Sequence, residues 1–123
     1  MNTSDLIFDY GWRKNSTINF QQVTKPIQLV FSAKKGQGIS DEQTKAFEYF
    51  SSQTKVFEDK IVKLLDDYIQ KYQISEKNAT PRTLLFNRDG SFGLLCDCDW
   101  DIENGIAIVL SPTEYITIQD DFL

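Results

Sequence analysis

Apolar residues in the first third of the chain come in short bursts. Leu6-Ile7-Phe8, Ile18-Asn19-Phe20 and Pro26 to Ala33 are separated by polar clusters such as Arg13-Lys14-Asn15-Ser16-Thr17. Bursts of that length predict strands. The third has the clearest period of two, because Ile27, Leu29 and Phe31 alternate with Gln28, Val30 and Ser32. Lys34-Lys35-Gly36-Gln37-Gly38 then breaks the pattern, and its glycines predict a loop. From Ser40 the period changes. Ser40 and Gln43 fit a capping box, and Phe47, Phe50, Phe57, Ile61, Leu64, Leu65, Tyr68, Ile69 and Tyr72 recur at helical spacing. Ser51-Ser52-Gln53-Thr54 is poor in helix formers, so the segment is predicted as one long helix or as a short and a longer one joined by a bend.

Residues 73 to 82 form a polar connector ending in Thr80-Pro81, and Thr83 to Phe86 follows as a strand. Asn87-Arg88-Asp89-Gly90 predicts a hairpin turn, its Asp-Gly pair supplying the positive φ that tight turns demand. Phe92 to Trp100 is predicted as one strand, Glu103-Asn104-Gly105 as a second turn, Ile106 to Leu110 and Tyr115 to Gln119 as the last two strands, with Ser111-Pro112-Thr113 between them. The predicted class is α+β: a mainly antiparallel sheet ending in a four-strand meander, with an amphipathic helical segment packed on it, in a single domain over residues 1–123.

Composition fits that picture. With 123 residues, 41% of them hydrophobic and 13% aromatic, there is material for one core and no room for a second domain. No run approaches the roughly 20 apolar residues of a membrane span, and Met1-Asn2-Thr3-Ser4-Asp5 lacks the basic-then-apolar order of a secretory signal. Cytoplasmic residence and no membrane partner are therefore expected, and the sequons at Asn2, Asn15 and Asn78 are chance matches. Cys96 and Cys98 would share one strand face about 7 Å apart, outside disulfide reach, and read as reduced core residues.

The net charge of −5 is unevenly spread. Residues 1–40 hold five Lys/Arg against two Asp, residues 41–78 six against eight, and residues 79–123 two against eight. An acidic C-terminal third repels phosphate backbones, so no nucleic-acid partner is expected, while a basic protein partner or a hard cation is favoured.

That acidity is densest in Leu94-Leu95-Cys96-Asp97-Cys98-Asp99-Trp100-Asp101, which alternates strictly. As a strand it would bury Leu94, Cys96, Cys98 and Trp100 together and line up Asp97, Asp99 and Asp101 on the other face. Such a row would suit water, a basic partner or a divalent cation. A calcium loop fails on detail, since Ile102 stands where the turn needs Gly and Ile108 where a bidentate Glu belongs. Paired carboxylates could serve glycoside hydrolysis, but no sugar cleft is marked. With no histidine in the chain, a Ser or Cys nucleophile has no conventional base. The Lys34–Gly38 loop matches neither the P-loop nor the dinucleotide fingerprint. No catalytic residue, metal ligand or cofactor is expected, and the stripe of Phe47, Phe50, Phe57, Tyr68 and Tyr72 is expected in the core.

Over Cys98-Asp99-Trp100-Asp101-Ile102-Glu103-Asn104-Gly105-Ile106-Ala107-Ile108 the chain resembles a group of small uncharacterised bacterial domains, whose signature is an acidic strand, a Trp, an acidic pair and a Gly-turned hairpin. The helix with Gln43, Ala46 and the 57–72 stripe, Asp89-Gly90, and Gln119 to Leu123 extend the resemblance over roughly residues 40–123. Asn104 departs from it, because a His often precedes the Gly there. Families of this kind look like immunity proteins of bacterial toxin systems, which bind and block a toxin. The resemblance and the charge together point to a non-catalytic binding module with Asp97, Asp99, Asp101 and Glu103 as contact residues, Trp100 as a buried anchor and Gly105 as the turn residue. The alternatives are a structural or regulatory subunit of an assembly, or a metal-dependent or glycoside-type hydrolase on the acidic face.

Overall fold

The structure, a computed structural model, describes residues 5–75 and 78–123. Seven strands lie in one sheet in chain order: β1 (Ile7–Phe8), β2 (Trp12–Phe20), β3 (Val23–Phe31), β4 (Ala79–Phe86), β5 (Phe92–Cys98), β6 (Ile106–Ser111) and β7 (Tyr115–Ile118). All neighbours are antiparallel except β3 and β4, which run parallel. A parallel pair needs a crossover, and α1 (Asp41–Ser52) and α2 (Thr54–Lys71) provide it. The class is α+β, with the four-strand meander β4–β7 as expected. Among the described residues, no helix is long and apolar enough to cross a membrane.

Both helices lie on one face of the sheet. α1 starts on the capping box, Ser40 accepting from the Gln43 amide at 3.1 Å while Gln43 Oε1 accepts from the Ser40 amide at 2.9 Å. The buried Gln43 side chain also donates through Nε2 to the carbonyls of Ser32 (2.8 Å) and Phe86 (2.9 Å), tying the helix start to the ends of both parallel strands. The helical region breaks at Gln53, so the bent alternative is the one adopted. α2 buries Phe57, Ile61, Leu65 and Ile69, and Phe50 of α1 stacks on Phe57 with ring centres 5.5 Å apart. α2 touches β2 on one side and β6 and β7 on the other, so the sheet curls around it. The predicted aromatic stripe enters this core through Phe47, Phe50 and Phe57; Tyr68 is half-buried at its margin beside Trp100, and Tyr72 lies exposed. The 34–38 loop closes as a surface turn, with the Gln37 amide on the Lys34 carbonyl.

Strand limits depart from the sequence expectation in several places, and β3 spans Val23–Phe31 instead of Pro26 to Ala33. The polar run Arg13–Thr17 separates no strands; it is the middle of β2, paired residue for residue with β3 from Trp12↔Phe31 to Phe20↔Val23. Arg13, Asn15 and Thr17 point away from the core, and Lys14 and Ser16, on the face shared with Trp12 and Ile18, are only half-buried there. β4 begins at Ala79, not Thr83, because Thr80 and Pro81 pair with Asp97 and Cys96 across a register shift that lets a proline sit in the ladder. β5 ends at Cys98, two residues short of Trp100. Residues Gln119–Phe122 leave β7 and form a short helical turn, α3, which puts Phe122 over Val30, Leu85, Leu95, Ala107 and Val109 on the second sheet face.

The β3–β4 seam is short. It spans Gln28↔Thr83 to Phe31↔Phe86, and two residues before its first pair each strand carries a proline, Pro26 and Pro81. Neither proline has an amide to donate, and below them the strands show no pairing with each other.

Candidate functional site

The acidic segment occupies the end of β5 and the loop to β6. β4 offers its first residue, Ala79, opposite Cys98, and β6 offers Ile106 opposite Cys96, so beyond Cys98 neither side has a partner strand among the described residues. The chain turns there. The predicted row of Asp97, Asp99 and Asp101 on one strand face is therefore not formed, since only Asp97 lies in the strand.

Each carboxylate has its own surroundings. Asp97 pairs with Arg82 through Nε at 2.7 Å, an exposed ion pair that stabilises little but neutralises the charge. Asp101 is used inside the loop. Its Oδ1 accepts from the Asn104 amide (3.3 Å), and its Oδ1 and Oδ2 accept from the Asn104 side chain (3.1 Å each), while its carbonyl accepts from the Gly105 amide at 3.0 Å. Asn104, where the resembling domains often have His, thus closes the turn through its amide. Asp99 and Glu103 make no side-chain hydrogen bond or ion pair among the described residues, although the Asp99 backbone amide is fixed on the Asn78 carbonyl at 3.0 Å. Between Asp101 and Glu103, Ile102 is 85% exposed. The sequence reading passed over it; its signal was a large apolar residue in a turn, claimed by neither flanking strand.

Trp100 reaches the core that contains Leu94, Cys96 and Cys98, and its ring lies 6.3 Å from that of Tyr68. It gets there through the turn and not by strand alternation, and it is half-buried, not buried. Its enclosed indole Nε1 has no hydrogen-bond partner among the described residues. Cys96 and Cys98 are free, buried thiols. Burial pushes both above the ordinary thiol range, with nearby carboxylates adding to it, and for Cys98 backbone hydrogen bonding from Asp101 offsets only part of the shift. Both are neutral at physiological pH. Burial likewise raises the Tyr68 phenol, with smaller contributions from Tyr72, Cys98 and Asp101.

Gly105 closes the loop at φ +60°. A β-carbon there would meet the Cys96 carbonyl at 2.7 Å and the side chain of Gln119. The bare backbone leaves room for Gln119 Nε2 to donate to that carbonyl at 2.9 Å, which docks the start of α3 against the loop. Asp121 is held by Thr117 at 3.1 Å, and α3 runs on across the sheet so that the Phe122 carbonyl accepts from Asn87 at 3.4 Å in the β4–β5 turn. Among the described residues, no three Cys, Asp or Glu side chains converge where one ion could sit.

A family model described as a domain of unknown function (DUF6985) matches residues 73–122. The match takes in β4 to α3 and the whole acidic loop, and it stops short of the helices that the resemblance had included. No curated protein and no solved structure matches the chain.

Proposed function

We propose that the protein is a non-catalytic binding module that captures a basic protein partner on the β5–β6 loop, as immunity proteins do when they block bacterial toxins. The observation that carries this reading is the exposed Ile102 flanked by Asp99 and Glu103, two carboxylates with no internal partner among the described residues. Such a loop offers an apolar anchor with charges beside it. The Asp101–Asn104 turn, the Asp99–Asn78 bond and the Gly105–Gln119 contact hold it in shape, so little ordering entropy is lost on binding. Asp97 and Asp101 support the loop instead of making contact. A cytoplasmic site of action in a bacterium and the absence of catalysis belong to the same proposal, and the lack of histidine supports the latter.

The experiment is to search the neighbouring reading frames for a secreted toxin and to run a surface-binding series across salt against its product. Asp99→Asn with Glu103→Gln should slow association several-fold and flatten its salt dependence, because steering comes from uncommitted charges. Ile102→Ala should leave association alone and speed dissociation about tenfold, as expected for loss of a small hot spot. Unchanged rates in both variants would show that the loop is only solvated surface.

A further inference from the structure

The β1 side of β2 is an open edge for most of its length. β1 pairs only Ile7 with Arg13 and Phe8 with Trp12, whereas β2 runs on to Phe20 with β3 along its other side. The Asn19 amide shows which groups face outward, because it donates to Glu58 Oε2 at 2.7 Å from α2. Strand geometry repeats every two residues, so the amides and carbonyls of Asn15 and Thr17 leave by the same edge. Among the described residues no strand pairs with them there.

Next to Asn19 a groove of about 540 Å³ opens between α2 and the β2–β3 turn. Its strand wall is Asn19, Gln21 and Gln22. Its helix wall is Lys55, Glu58, Asp59, Val62 and Asp66, spaced by three and four so that they share one helix face. Lys55 and Asp59 hold each other at 2.9 Å. Glu58 is only 9% exposed, yet no cation pairs with it among the described residues; one oxygen takes the Asn19 amide, and the other makes no hydrogen bond. Asp66 is likewise without an ion-pair partner there.

We propose that this groove and the adjoining β2 edge receive an extended basic peptide segment of a protein partner, added to the sheet as an extra strand. The edge supplies main-chain donors and acceptors, and the helix wall, with three carboxylates against one ammonium, supplies charge complementarity. Spacing matches as well. Glu58 and Asp66 are eight residues apart on α2, about 12 Å along the axis. Residues i and i+4 of a strand are about 13 Å apart. The occupant therefore carries Lys or Arg at i and i+4, one meeting the free oxygen of Glu58 and the other Asp66. The lining of this groove includes no residue of the β5–β6 loop.

The test titrates the full chain with an end-blocked peptide, Thr-Lys-Thr-Val-Thr-Lys-Thr, in low salt, following amide shifts and hydrogen exchange. Binding should saturate, and exchange at Asn15 and Thr17 should slow at least tenfold. A Lys-to-Glu peptide should bind at least tenfold more weakly. Of two peptides N-methylated on alternate amides, one should lose binding and the other keep it, since only one set of amides faces β2. Glu58→Gln, checked for fold by circular dichroism, should weaken binding several-fold, while Asp99→Asn with Glu103→Gln should not affect it. The proposal is overturned by no binding at millimolar peptide, by equal binding of both N-methylated forms, or by loss of binding in the loop variant. Protection of Asn15 and Thr17 that grows with protein concentration alone would overturn it too, by assigning the edge to a second copy of the chain.

Discussion

Replacing Gly105 by alanine probes the geometry of the loop most directly. At φ +60° an L side chain is strained by about 1–2 kcal/mol. The new β-carbon would also sit 2.7 Å from the Cys96 carbonyl, a backbone atom that cannot swing aside, and would displace the Gln119 amide from its bond to that carbonyl. Loss of a partly buried hydrogen bond adds about 0.5–1.5 kcal/mol. The expected total is about 2–4 kcal/mol, or a fall in Tm of roughly 10–15 °C for a chain of this size. Urea unfolding followed by circular dichroism measures it, with Gln119→Ala and the double variant alongside. Because Gln119→Ala already gives up the bond, Gly105→Ala should cost about 1 kcal/mol less in that background. A cost below about 1 kcal/mol for Gly105→Ala, or no coupling between the two positions, would refute the account of how α3 docks on the loop.

Gln43→Met keeps volume but removes four hydrogen bonds, with Ser40, Ser32, Phe86 and Arg88, and should lower stability by about 2–4 kcal/mol in the same assay. Cys96 and Cys98 should stay unmodified by a thiol reagent at pH 7 and react only as urea unfolds the chain, because burial keeps them neutral and inaccessible. The Ser91 amide and hydroxyl hold Asp89 below its ordinary value of 3.8. The folded value is the lower one, so its contribution is present above pH 3.8 and is lost as pH falls through the folded value. Asp89→Asn should accordingly flatten the acid limb of a stability-versus-pH curve and leave its neutral part nearly level.

Features governed by local chemistry were legible along the chain. Ser40 and Gln43 announced the start of α1, the Ser51–Thr54 stretch announced the break, and the turn at Asn87–Gly90 set the pairing of β4 with β5. What escaped notice depended on neighbours. Arg13–Thr17 looks like a linker until β3 is placed beside it, and the alternation from Leu94 to Asp101 continues in sequence after the partner strands have ended at Cys98. The acidic row dissolved for that reason, and the same turn exposed Ile102. The groove beside Glu58 was invisible because it arises from the shortness of β1, two residues against nine in β2.

The proline-flanked seam between β3 and β4 bears on how the two parts of the sheet hold to each other. The matched family span lies beyond it, taking in β4 to α3 and none of β1 to β3. Four residue pairs of parallel ladder are the only main-chain pairing between the two sides, so what holds β1–β3 to the meander is largely the core that α1 and α2 share with both. The open β2 edge lies on one side of that seam and the acidic loop on the other, joined mainly through side chains.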